Sequence, residues 1–135
     1  VLRAIMLAAC LFAAPMAKAA QTYVCRIQEH GNSGWIPEIL FLGVEDDNSS
    51  VVVSDPLILY FNDRAPVRGR VAMDNPRRKT FVWTIPARTR SGQYARHLQY
   101  TATYVKAAGR MLVSATPPGF GSHYSGEGTC QVEQR

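Results

Sequence analysis

Apolar and polar residues alternate with a period of two through most of this chain. In "RHLQYTATYVK", Leu98, Tyr100, Ala102 and Tyr104 fall on one face while His97, Gln99, Thr101 and Thr103 fall on the other, as in a strand with one buried side. "TFVWTI" sets Phe81, Trp83 and Ile85 against Thr80, Val82 and Thr84, and "MLVSAT" sets Met111, Val113 and Ala115 against Leu112, Ser114 and Thr116. Further strand candidates are "TYVCRI", "IPEILFLGVE", "SVVVS", "LILYF" and "PVRGRVAM". Turn-forming clusters separate them: "EDDNSS", "SDP", "NDRAP", "DNPRR", "RTRSGQ", "AAGR" and "TPPGFGS". No segment carries a helical stripe over three turns. The pattern predicts an all-β fold, a small antiparallel barrel or sandwich of about eight or nine strands. Periodicity does not choose between the two.

The N-terminal segment breaks the pattern. Arg3 precedes the apolar run "AIMLAACLFAAPM", and "AKA" at Ala17 to Ala19 fits the small-x-small rule of a signal peptidase site. Residues 1–20 therefore read as an export signal that is removed, and 21–135 as a single all-β domain, periplasmic or secreted. "LAAC" offers lipid attachment at Cys10 as an alternative, although the apolar stretch before that cysteine is only "AIMLAA". No second apolar run reaches the length of a transmembrane helix. Cys25 and Cys130 remain in the mature chain, one near each end. In an exported protein such a pair reads as a disulfide, whereas a metal site needs more ligands close by. Closing a loop of this length removes ~4–5 kcal/mol of unfolded-chain entropy. It also requires the first and last strands to lie side by side or face each other.

The densest collection of chemistry-bearing residues is "TPPGFGSHYSGEGTC", residues 116–130. Neither Ser122 nor Ser125 has the G-x-S-x-G framing of a nucleophile elbow. Gly119 and Gly121 begin a dinucleotide-type G-x-G-x-x-G, but Tyr124 stands in the third glycine's place. On a strand His123, Ser125 and Glu127 point one way, ~6–7 Å apart, and form a solvated face. The opposite face then carries Tyr124, Gly126, Gly128, Cys130 and Val132, with the glycines leaving room for a ring or the disulfide. The stretch reads as a closing loop and terminal strand rather than a catalytic site, and no catalytic residue is assigned. His30, His97 and His123 are too scattered for a zinc motif, "EDDN" fits a hairpin tip better than a calcium loop, and "NSS" at Asn48 matches a glycosylation acceptor. Trp35, placed after a turn in "NSGWIPE", fits either a core lid or a ligand platform, with the core lid as the default. No metal site and no cofactor are implied.

Charge adds the most to this picture. From Arg64 to Arg96 there are nine basic residues, Arg64, Arg68, Arg70, Arg77, Arg78, Lys79, Arg88, Arg90 and Arg96, against the single acid Asp74. The rest of the mature chain has four basic residues and nine acids. Such a run serves either as solubilising edge charge or as a site for an anionic partner, since arginine forks match carboxylate and phosphate. An exported chain without a stacking motif is a poor nucleic-acid binder. The better partners are an anionic polymer, a lipid headgroup or an acidic protein, and the sequence specifies no oligomeric state.

Tyr23-Val24-Cys25, Ser91-Gly92 with Tyr94 close behind, and the cysteine of "GTCQV" distantly resemble the small periplasmic β-barrel inhibitors of c-type lysozyme. The resemblance covers these few positions. The family's S-G-x-x-Y loop is one residue shorter here, "SGQY", and the chain is longer. A basic loop would also meet a basic enzyme, an unfavourable pairing. What the resemblance implies is inhibition of a hydrolase through "RTRSGQY". The residues themselves point first to a non-enzymatic domain binding an anionic envelope or extracellular partner through the arginine-rich segment. A barrel cavity holding a small hydrophobic ligand is a further alternative.

Overall fold

A computed structural model describes residues 21–88, 94–117 and 123–134. The expected export signal lies outside the described residues. Eight antiparallel strands close into a barrel in chain order: β1 (Gln21–Glu29), β2 (Ile39–Val44), β3 (Ser50–Ser54), β4 (Val67–Asp74), β5 (Arg78–Arg88), β6 (Tyr94–Val105), β7 (Arg110–Thr116) and β8 (Tyr124–Gln134). Among the described residues one helix, α1 (Pro56–Phe61), joins β3 to β4. Closure resolves the choice between barrel and sandwich, and each of the described strands is paired on both sides.

The interior is the apolar phase of the alternation. Phe81, Trp83 and Ile85 point inward from β5, Leu98, Tyr100 and Ala102 from β6, and Met111, Val113 and Ala115 from β7, all buried. Large rings occupy the axis. Tyr23 meets Phe81 and Tyr104 edge-on at 5.3 and 5.2 Å, and Trp83 stacks on Tyr100 at 5.4 Å. An eight-stranded barrel is just wide enough for such a filling. The aliphatic side chains of the core cluster complete the lining of the interior.

Chain closure is made by β1 and β8, whose register sets Cys25 opposite Cys130. Their sulfurs are at bonding distance. Gly128 faces inward beside this bridge, and the group that approaches it is backbone: a Cβ there would lie 1.7 Å from the Arg26 carbonyl oxygen. The space at Gly128 thus accommodates the neighbouring strand, not a ring or the disulfide as the sequence suggested.

"LILYF" is a helix, not a strand. Asp55 caps it by accepting from the Ile58 N–H at 2.8 Å, and Pro56 sits at its first turn, the usual start of a helix. Burial raises the Asp55 pKa, opposed by the cap hydrogen bonds. Ile58 is the helix's buried residue and plugs one end of the barrel. The 30–38 segment completes this lid: Trp35 stacks on Phe61 at 6.0 Å, and its carbonyl accepts from Tyr100 Oη at 2.6 Å. Trp35 is therefore packed against the core as a lid residue, the first of the two roles that its position after a turn allowed.

Candidate functional site

Antiparallel strands distribute the arginine-rich segment over three places. The lid rim carries α1, the end of β5 and the start of β6; the opposite, turn rim carries the β2–β3, β4–β5 and β6–β7 connections. Arg64 lies just after α1, at the lid rim, exposed and at φ 62°. Arg68 and Arg70 alternate along the outer face of β4, opposite Val52 and Ser50 of β3. Arg77 and Arg78 stand exposed at the turn rim, where Asn75 Oδ1 accepts from both backbone N–H groups at 2.9 and 2.8 Å. Arg88 ends β5 and Arg96 lies within β6, while Arg90 and most of the "RTRSGQ" loop lie outside the described residues.

Lys79 requires a correction. Assigned by sequence to the anion-binding set, it is only 3 % exposed and points into the turn rim of the barrel. Its position in phase with Phe81 and Trp83 on a period-two strand turns it inward. There Nζ donates to Gln21 Oε1 at 2.8 Å and to Asn48 Oδ1, lies 3.5 Å from Asp74, and stands 6.0 Å from the centre of the Phe81 ring. Asp74 also receives Lys106 Nζ at 2.8 Å and Asn48 Nδ2 at 3.0 Å. Gln21 Oε1 in turn accepts from Tyr23 Oη at 3.0 Å. This network ties three turns and the first strand together, satisfying the buried ammonium as an interior charge requires.

The titration of the network follows from these contacts. The Lys106 hydrogen bond foremost, with help from Asn48 and the Lys79 charge, brings the Asp74 pKa down to about 2 against the opposing effect of desolvation. Burial lowers the Lys79 pKa, partly offset by Asp74. Burial, then Tyr104 and Asp74, push Tyr23 up to about 12. For Asp74 the folded value lies below the ~3.9 of an unfolded chain, so its stabilising contribution is present above about pH 4 and is lost as pH falls toward about 2. Unfolding curves of wild type and Asp74→Asn should therefore be well separated at pH 6 and converge below pH 3. A gap that stays constant from pH 6 to 2 would remove Asp74 from this role.

Elsewhere on the turn rim, sequence acids and bases are neighbours rather than opposite poles. Arg68 pairs with Glu45 at 2.9 Å, and the β2–β3 turn packs beside β4 through a hydrogen bond from the Val71 N–H to the Ser49 carbonyl. Asp47 holds that turn by accepting from Ser49 and Ser50, with its pKa lowered chiefly by the Ser49 hydroxyl. Arg64, Arg70, Arg77 and Arg78 have no carboxylate within ion-pair distance among the described residues. Of these, Arg70, Arg77 and Arg78 share one hairpin wall.

The terminal strand carries a polar outer ladder that sequence reading did not assemble. His30 Nδ1 lies 2.9 Å from Ser125 Oγ, and His30 Nε2 3.8 Å from Glu127, which Arg110 also approaches at 3.2 Å. The side chains of His30 and Glu127 are about half-exposed, at 55 and 42 %. The ladder therefore lies in water, where its interactions are weak, and Glu127 is already matched by a cation. His123 is exposed just before β8, and Ser122 lies outside the described residues. Among the described residues no three His, Cys, Asp or Glu side chains gather closely enough to hold a metal ion. Against known proteins, no family model, no curated protein and no solved structure matches this chain.

Proposed function

We propose that the protein is an exported, non-enzymatic β-barrel domain that binds an anionic envelope or extracellular partner through the outer wall of the β4–β5 hairpin. The disulfide is compatible with an oxidising compartment, and among the described residues no helix is long and apolar enough to cross a membrane. The observation that carries the reading is selective pairing. Arg68, Lys79, Lys106 and Arg110 are each matched to an acid. Arg70, Arg77 and Arg78 extend from the same hairpin into solvent and have no acid within reach among the described residues. Guanidinium forks held on a rigid hairpin suit carboxylate, sulfate or phosphate groups.

Binding to a sulfated polymer such as heparin should weaken steeply between ~0.05 and ~0.2 M salt, through screening and counterion release. Arg70→Ala/Arg77→Ala/Arg78→Ala should reduce affinity about tenfold or more at low salt, with little loss of stability because exposed charges contribute little. Lys79 is left intact in this variant because it belongs to the rim network. The control is Asp46→Asn/Glu133→Gln, which raises the net charge by two outside the hairpin, leaves the Asp47 turn undisturbed and should change affinity much less. A gain in affinity from the acid variant comparable, per charge, to the loss from the arginine variant would mean that net charge alone drives binding. Absence of salt-sensitive binding to any anionic polymer or vesicle would overturn the proposal.

A further inference from the structure

The wall next to these arginines has an unusual composition. On the outward side of β5 and β6, Thr80 stands opposite Thr103, Val82 opposite Thr101, and Thr84 opposite Gln99. The lattice continues onto β7, where Ser114 lies opposite Thr101. Thr80 and Thr103 join hydroxyl to hydroxyl at 3.0 Å. Arg70 borders the lattice beside Val82, and Arg78 stands at its turn-rim end.

We infer that this wall is a binding face for an acidic polysaccharide, with Arg70, Arg77 and Arg78 holding its charged groups and the hydroxyl lattice of β5–β7 meeting its sugar hydroxyls. This rests on the anion-binding reading above and assigns its partner class. Short hydroxyl side chains give a shallow face on a twisted sheet, which an extended chain can follow, and each hydroxyl both donates and accepts. The guanidinium positions are spread along the hairpin: Arg70 sits beside Val82, four residues along β5 from Arg78, a separation of ~13 Å at the usual strand rise. A polymer with charges distributed among neutral hydroxyl-bearing units complements that spacing.

Other anionic partners fit the wall less well. A bilayer surface calls for apolar side chains that insert together below the headgroups; here Val82 is half-buried, and the more exposed Met73 and Leu112 stand singly across from Thr80 and Thr103, on opposite sides of the lattice. A protein partner calls for aromatic anchors near the centre of the contact. The exposed aromatics Phe41 and Tyr60 belong to β2 and α1, away from this wall.

The test compares binding of the mature domain to polygalacturonate, inorganic polyphosphate and phosphatidylglycerol vesicles, in wild type and in Thr84→Val/Thr101→Val/Ser114→Ala. Valine keeps the β-branched shape that strands favour, and thermal unfolding with the Thr84→Val single variant checks that any change is local. The expected result is preferential binding of wild type to polygalacturonate, lowered about fivefold or more in the hydroxyl variant, with polyphosphate binding unchanged. Equal or stronger binding to polyphosphate or vesicles, or no effect of the hydroxyl variant, would overturn the polysaccharide assignment while leaving the arginine site standing. No binding to any of the three ligands would overturn both.

Discussion

Gly128→Ala should destabilise the barrel at or above the ~3 kcal/mol upper end of ordinary overpacking costs. The new methyl group would lie 1.7 Å from the Arg26 carbonyl oxygen, 2.7 Å from its carbonyl carbon and 2.9 Å from Ile27 Cα. All three are backbone atoms, so no side-chain rotation relieves the clash, and β1 must move away from β8. That displacement breaks the seam on which closure depends. Gly126→Ala should cost less, since one of its close neighbours is the side-chain methyl Ile36 Cγ2 at 2.9 Å, although the Gln28 carbonyl oxygen at 2.7 Å remains. Gly31→Ala, where no atom lies within 4 Å of the added carbon, is the neutral control. Denaturant unfolding of the three variants checks the order. A Gly128→Ala midpoint equal to that of Gly31→Ala would show that the seam yields more easily than its backbone contacts imply.

What could be read from the sequence depended on whether an interaction was local or created by closure. Phe81, Trp83 and Ile85 announce their inward face because strand periodicity is a property of consecutive residues. The same periodicity puts Lys79 on that inward face, so its burial was legible; the charge run around it obscured the phase. "LILYF" shows the opposite limit, since a short apolar run suits strand and helix alike. Asp55 followed by Pro56 was the available signal for the helix. The partnership of Asp74 with Lys106 and Asn48 joins three different turns and has no local signature. His30 and Ser125 also meet only through closure, yet one antiparallel register places Cys25 opposite Cys130 and Glu29 opposite Gly126. Given the disulfide as a direct cross-strand pair, the outer ladder follows by counting. Selective arginine pairing does not, because it depends on which acids the turns bring close.

Removing the Cys25–Cys130 bridge should lower stability by ~2–5 kcal/mol. Among neighbouring strands of the barrel, β1 and β8 alone are joined by no short connection: the bridged cysteines are 105 residues apart in sequence. Without the bridge, the unfolded chain gains the freedom of its separated ends, while most native contacts remain available to the folded barrel. Cys25 is fully buried, and a free thiol there packs as a small apolar group. Cys130→Ala and Cys25→Ala/Cys130→Ala should consequently show similar losses, and wild type unfolded in the presence of reductant should show nearly the same. Urea unfolding with and without reductant measures all three. The double variant should be insensitive to reductant, which separates loss of the bridge from any direct effect of the reagent. A wild-type midpoint that does not move on full reduction would mean that the β1–β8 ladder holds the chain ends without covalent help.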